Sequence, residues 1–394
     1  MSSMQPAHFF IKNRFQKRSE TYEDILTPDI LEDVCVKATG QANYTVTFDD
    51  SAINRGRLAT IEFQGQIIYI SFSESIIRGR NASLQSFPSA LVYYHNEQNI
   101  NKRVCFYFLK AIGNFKTPYF LFMYRLMKTA GTEFLNELDY LPNVIVPFTT
   151  VEDIILNKNV IRGANRSNNS TYLTKDANST LQIFGKTYGA SKYETTLLCL
   201  SIAKIATSKI ELYEIQENKL KRLPKAARQV IEANQKITII TSDLTLERRE
   251  FEQSNSLRSP SYIYNLLGKL GGKSCALCGC QIPQIIQGAH IWPVANIKKT
   301  HNINADKKLE SATDGDNGIW LCNNHHKLFD INLLIINEDG RIKYQSDIKE
   351  VDGSYINGMT INNQVKGEIL TARFLEYLEK RNSVIDKQLY SFFE

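Results

Sequence analysis

Apolar and polar residues alternate over 43–48, 58–63 and 66–72, the period-two pattern of half-buried strands. Gln64-Gly65 stands between the last two and supplies a hairpin turn. The runs 102–109 and 119–123 continue the strand pattern, and 132–138 reads as a helix. Beyond them the pattern fades: 157–180 is rich in Asn, Ser, Thr and Gly and predicts a polar linker or loop. Order returns where Ser191 and Glu194 form a capping box ahead of an apolar helix that runs to residue 206. A strand over 210–215, a helix ending at residue 234 and a strand over 236–241 follow. Further on, 287–292 and 318–321 read as two short strands and 323–329 as a helix. Pro293 closes the first of these strands, because proline has no amide proton for the ladder. The segments 333–337 and 341–344 flank Glu338-Asp339-Gly340, a hairpin signature, and 367–380 predicts a closing helix.

A chain of 394 residues with 43% apolar content can bury two or three cores. No stretch approaches the roughly 18 uninterrupted apolar residues of a membrane span; the nearest, 119–127, is broken by Arg125. The N-terminus has no basic region followed by an apolar core, so a cytoplasmic location is expected. Net charge of +6 suits a polyanionic partner. Abundant Lys, Asn and Ile suggest an AT-rich bacterial genome.

Four of the seven cysteines and four of the six histidines lie between residues 275 and 330. Cys275 and Cys278 form a Cys-x-x-Cys pair, and Cys322 with His325 a Cys-x-x-His pair. Two such knuckles separated by a long insert suit a tetrahedral structural zinc. A disulfide framework is the alternative, but an oxidising compartment has no support in this N-terminus. Cys280 reads as a bystander that could also replace Cys278 as a ligand.

Between the knuckles stand Ala289-His290-Ile291-Trp292-Pro293 and Asp316-Asn317-Gly318-Ile319, followed by His325-His326-Lys327-Leu328-Phe329-Asp330. This His…Asn…His order, wrapped around zinc cysteines, resembles the HNH branch of the ββα-metal nucleases over roughly residues 270–345. The resemblance implies that His290 is a general base, that Asn317 holds the loop between strand and helix, and that His326 ligates a catalytic divalent cation such as Mg²⁺. Products would carry a 5′-phosphate and a 3′-hydroxyl. Many relatives place a metal ligand immediately before the base, whereas this chain has Ala289. A second ligand must then come from Asp330 or Asp316, or from water, which Mg²⁺ tolerates. Asp330 is favoured because it lies four residues after His326 on one helix face. His325 is turned about 100° from His326, so the neighbours can serve different metals.

The expected fold class is therefore α+β: a mixed α/β region for DNA recognition, then a zinc-stabilised HNH nuclease domain. The boundaries are 1–156 for recognition, 157–183 for a polar loop, 184–265 for an α/β connection and 266–394 for the nuclease. Arg78, Arg80, Arg162 and Arg258 are candidate DNA contacts, arginines being the residue type that holds phosphates and reads guanine. Arg248, Arg249 and Lys269 could neutralise phosphates beside the cut. Phe184-Gly185-Lys186-Thr187 is no phosphate loop, since the required first glycine falls on Thr180, and no nucleotide cofactor is expected. Residues 184–200 also resemble segments of HNH-type restriction enzymes. The functional expectation is a restriction-type endonuclease acting on double-stranded DNA. One active site per chain would favour a homodimer on a palindromic site. Two alternatives stand beside it: a nuclease that requires modified cytosine or is less specific, and a zinc-stabilised DNA-binding protein that does not cut. An aromatic cage for a flipped base would mark the former, but Tyr93, Tyr94 and Tyr107 cannot be assigned to one from sequence.

Overall fold

The computed structural model describes residues 5–12, 23, 26–49, 58–73, 101–109, 118–137, 145–161, 171–186, 191–215, 223, 225–242, 244–253 and 259–392. Arg78, Arg80, Arg162 and Arg258 lie outside the described residues. The chain divides into two units. One lies within Met1–Asn169, Tyr188–Thr207 and Leu223–Ile237, the other within Ser170–Thr187, Ser208–Arg222 and Thr238–Glu394.

The first unit is built on a sheet of β1 (Ala7–Lys12), β2 (Tyr44–Asp49), β3 (Leu58–Phe63), β4 (Gln66–Ser73), β5 (Lys102–Phe108) and β6 (Glu133–Phe134), in the order β2-β1-β3-β4-β5-β6. Pairing of Phe63 with Gln66 puts the β3–β4 turn at Gln64-Gly65, where the alternation placed it. Helix α1 (Pro28–Thr39) buries Leu31 and Val34 in one core with Phe9, Ile11, Ile61 and Phe72.

Two expectations fail here. The run 119–123 is not a strand but part of helix α2 (Pro118–Thr129), whose Tyr119, Phe120, Phe122, Met123, Tyr124, Leu126 and Met127 are all buried. A helix covered around most of its circumference shows the same unbroken apolar run as a core strand, so periodicity cannot separate them. Residues 132–137 are not helical: they supply the edge strand β6, with Phe134 set against Phe106 and Phe108.

Helices α3 (Val151–Val160), α4 (Ser191–Ile205) and α5 (Lys225–Ala233) complete the described helices of this unit. The Glu194 carboxylate takes the Lys158 ammonium and the Tyr119 hydroxyl, with all three residues buried. Burial pulls the Lys158 amine below its ordinary value, against the opposing pull of Glu194.

The second unit opens with β7 (Thr171–Lys175), β8 (Leu181–Lys186), β9 (Ile210–Ile215) and β10 (Ile237–Ser242), ordered β10-β9-β8-β7. Part of the stretch read as a polar loop is therefore a hairpin. Its turn forms on the Asp176 carboxylate, which accepts from the backbone amides of Asn178 and Thr180 at 2.8 and 2.7 Å. The polar residues there are turn formers. Helices α6 (Leu244–Gln253) and α7 (Pro260–Leu270) follow. Ser259 caps α7, its Oγ accepting from the Tyr262 amide at 3.2 Å, and Pro260 occupies the first turn.

The remaining elements form the module that carries the cysteine and histidine motifs: β11 (Ile286–His290), α8 (Val294–Lys299), α9 (Ala305–Thr313), β12 (Gly318–Cys322), α10 (Asn323–Asp330), β13 (Leu334–Ile336), β14 (Ile342–Gln345), α11 (Glu350–Met359), α12 (Ala372–Asn382) and β15 (Tyr390–Phe392). Strands β11 and β12 pair antiparallel with His290 opposite Gly318, and α10 follows β12 directly. Tyr262, Leu266, Ala289, Ile291, Ile319, Trp320, Phe329 and Phe374 share one core. The turn Gly315–Asn317 is pressed against α7: a Cβ on Gly315 would stand 2.7 Å from the Asn265 carbonyl oxygen. Because backbone cannot step aside as a side-chain tip does, Gly315→Ala should cost about 1–3 kcal/mol. A lowered thermal midpoint would show it; an unchanged midpoint would mean that α7 yields.

Candidate active site and metal centre

Asn317 locks the site's frame. Fully buried, it accepts from the Trp292 amide through Oδ1 at 2.7 Å. Its Nδ2 donates to the carbonyls of Trp292 and Ser311 at 3.1 and 3.0 Å, and its own carbonyl accepts from the Ile291 amide at 3.0 Å. The end of β11 is thereby tied to the turn that starts β12.

His290 is the last residue of β11, and its Nε2 lies 3.0 Å from the Ala312 carbonyl oxygen. A carbonyl only accepts, so Nε2 carries the proton and Nδ1 is the basic atom of the neutral ring. The ring of Tyr262 is stacked on the imidazole at 4.1 Å, tilted by only 10°.

His326 lies on α10, and the opposite nitrogen carries its proton. Its Nδ1 donates to Gln287 Oε1 at 3.1 Å, while Gln287 Nε2 donates to Asn323 Oδ1 at 2.8 Å. Nε2 of His326 is thus left facing Asp330 Oδ2 at 3.4 Å. With a neutral imidazole these are two acceptors facing one another, an arrangement that a cation between them satisfies. The helical offset brings His326 and Asp330 together as expected. Asp316 is engaged elsewhere: its carboxylate takes Lys269 and Thr371. Burial alone would raise that carboxyl, but these bonds outweigh it and hold the pKa below the usual carboxylate value. The neighbouring Asp314 accepts from the Asp316 amide at 2.9 Å and from the Tyr377 hydroxyl at 3.0 Å, and pairs with Arg373. Lys269 is accordingly committed to this turn, and Arg248 pairs with Asp306.

The ligand atoms of Cys275, Cys278, Cys322 and His325 all lie within 4.8 Å of one another. His325 Nδ1 is 3.5 Å from Cys275 Sγ and 3.2 Å from Cys322 Sγ, and the Cys278 and Cys322 sulfurs are 3.9 Å apart. A tetrahedron with Zn–S bonds of about 2.3 Å has edges of about 3.8 Å, so the donor set fits zinc. The Cys278 and Cys322 sulfurs stand well beyond the roughly 2.05 Å of an S–S bond, and no disulfide joins any of the cysteines in this structure. Cys280 is outside the cluster and contributes its carbonyl, bonded to the Cys275 amide at 2.8 Å. Burial, with the neighbouring sulfurs of Cys275 and Cys322, pushes the Cys278 thiol up to about 12. Such a crowd of thiols ionises together only around a cation.

Several residues here carry no local sequence signal. Thr360 donates its hydroxyl to the Ile356 carbonyl at 2.7 Å and receives His325 Nε2 at 3.2 Å. It thereby leaves Nδ1 as the lone-pair nitrogen turned toward the thiols. Thr360→Val, which keeps the shape, should weaken zinc retention by about 10–100-fold in competition against a chelator. Unchanged retention would mean that the ring needs no such partner. Arg381 is buried and stacks on Phe329 with its guanidinium carbon 3.8 Å from the ring centre. Its guanidinium donates to the carbonyls of Ile291 and Phe329, and to Asn332 Oδ1 at 2.7 Å. The segment after His290 is thus joined to the end of α10. Burial pulls Arg381 down to about 10, with Asp330 opposing.

Residues 275–337 match a protein-family model described as an HNH endonuclease. No curated protein matches the chain.

Proposed function

The chain carries an HNH endonuclease domain, and we propose that it is a metal-dependent DNA endonuclease of the restriction type. The observation that supports this reading best is the paired presetting of two histidines: His290 presents a basic Nδ1, and His326 presents Nε2 beside Asp330. A non-cutting DNA-binding protein has no use for that division. The matched stretch covers 63 residues, from 275 to 337, while the rest of the chain includes a separate six-stranded unit. A unit of that size suits recognition of a site before cleavage.

In the proposed reaction His290 Nδ1 takes a proton from water as the water oxygen attacks phosphorus. The bond to the 3′ oxygen breaks with its electron pair, and that oxygen takes a proton from solvent water, leaving a 5′-phosphate and a 3′-hydroxyl. His326 and Asp330 would hold a divalent cation such as Mg²⁺, with water filling the coordination left open by Ala289. When bound, that ion supplies positive charge where negative charge grows on the scissile phosphate and the leaving oxygen. Asn317 keeps the strand end from drifting, and Arg381 keeps the helix end in step with it. Cys275, Cys278, Cys322 and His325 would hold the structural zinc.

Plasmid cleavage with Mg²⁺, on unmodified and cytosine-methylated DNA side by side, tests the reading. Discrete fragments from unmodified DNA carry it, and their ends give the site. Cutting of methylated DNA alone would replace it with a modification-dependent nuclease. Tight binding without cutting of either would sink it. If double-strand breaks arise from a homodimer, their rate should rise with the square of protein concentration below the dimer dissociation constant.

A further inference from the structure

The general base proposed above is held at Nε2 by the Ala312 carbonyl. A hydrogen bond directs one atom of a ring, whereas contact on its face sets the plane of the whole ring. We propose that Tyr262, on α7 and outside the matched stretch, is the positioning residue that sets the imidazole plane and so aims Nδ1. The proposal rests on His290 being the base.

The geometry supports a built slot. The Tyr262 and His290 rings are parallel to within 10° at 4.1 Å. Tyr262 is fully buried, and its backbone amide is held by Ser259 at the start of α7. The floor of the slot is two glycines: Gly318, opposite His290 in the ladder, and Gly288, two residues before it on the same face. A Cβ on Gly288 would stand 3.1 Å from Tyr262 Cε1 and 2.5 Å from Leu266 Cδ1. One on Gly318 would run into the Tyr262 hydroxyl and stand 2.6 Å from Leu266 Cδ2. Any other residue at either place would push the aromatic ring off the imidazole. Leu266, one turn along α7, fills the rest of the slot.

Orientation of this kind affects the chemical step more than binding, and a misplacement of about 1 Å can cost up to 10²-fold in rate. Tyr262→Leu should therefore lower kcat about tenfold or more while KM stays within about twofold. Tyr262→Phe, which keeps the stacked face, should stay within about twofold of wild type in both. NMR of histidine-labelled protein gives a readout that needs no catalysis. The His290 ring protons should be shifted upfield in wild type and Tyr262→Phe, and should return toward ordinary values in Tyr262→Leu. If the leucine variant does not fold, Tyr262→Met replaces it, and the wild-type shift still decides. Absence of that shift overturns the proposal. So does a leucine or methionine variant with wild-type kcat, or a phenylalanine variant as slow as leucine. His290→Ala in the same assay separates the two ideas: a dead alanine variant beside a fully active Tyr262→Leu removes only the role of Tyr262. A His290→Ala enzyme that still cuts removes the base, and this inference with it.

Discussion

His290→Ala is expected to slow DNA cleavage by about 10²–10⁴-fold, the usual contribution of a positioned general base, while the protein still folds and still binds DNA. The imidazole is only partly buried, and its Nε2 bonds a backbone carbonyl of α9. Its removal therefore leaves a small gap rather than a collapsed core. The frame around it is kept by Asn317, which holds Trp292 and Ser311 independently of the histidine. Single-turnover cleavage at saturating enzyme, beside a gel-shift titration, separates the step from binding. A residual rate within a few-fold of wild type would show that the water is activated by another group. Loss of binding along with the rate would place His290 in the interface rather than in the chemistry.

Loss of the zinc is the change expected to act most strongly on the fold. Wild-type protein should contain about one zinc per chain, and Cys322→Ser should contain almost none. The four ligands come from the knuckle before β11, the end of β12 and the first turn of α10. Segment 360–362 closes over them. Thr360 meets His325, while the Asn362 amide and side chain bond the carbonyls of Leu277 and Ala276 at 2.8 and 2.9 Å. Zinc binding contributes about 10–16 kcal/mol in small zinc domains, against a net stability of about 5–15 kcal/mol for an ordinary domain. The same ligands hold the strand and the helix that present His290 and His326. Stripping the metal with a strong chelator, or Cys322→Ser, should therefore abolish cleavage and melt the nuclease module at ordinary temperature. Circular dichroism and zinc content on one sample would check it. A metal-free protein with an unchanged thermal midpoint would show that the apolar core around Tyr262, Trp320 and Phe374 holds the module alone.

Within the module, the chemistry with short sequence spacing was legible. Cys-x-x-Cys and Cys-x-x-His converge as read, β11 and β12 stand within a residue or two of their expected limits, and α10 spans Asn323–Asp330. The i, i+4 offset of His326 and Asp330 likewise gave their contact, while Asp316, weighed as another ligand, is tied to Lys269. The candidate DNA contacts Arg78, Arg80, Arg162 and Arg258 are not among the described residues and remain proposals from residue type. No helix among the described residues is long and apolar enough to cross a membrane.

What the sequence determined by itself is whatever one turn, one strand or one helix fixes: the two metal knuckles, the shared helix face of His326 and Asp330, the strand-ending Pro293, and the family they spell. Tertiary structure alone decided that the apolar run at 119–123 is helical, and that the Glu194 carboxylate meets Lys158 and Tyr119. It alone also chose the protonated nitrogen on each histidine. Ala312 settles His290, Gln287 settles His326 and Thr360 settles His325, from 22 to 39 residues away. Tyr262 and Arg381 act from outside the matched stretch altogether. Local spacing encodes backbone geometry, because torsions and helical offsets act over a few residues. Proton placement depends on which donor or acceptor folding brings within about 3 Å, and nothing in the spacing of one segment specifies that partner.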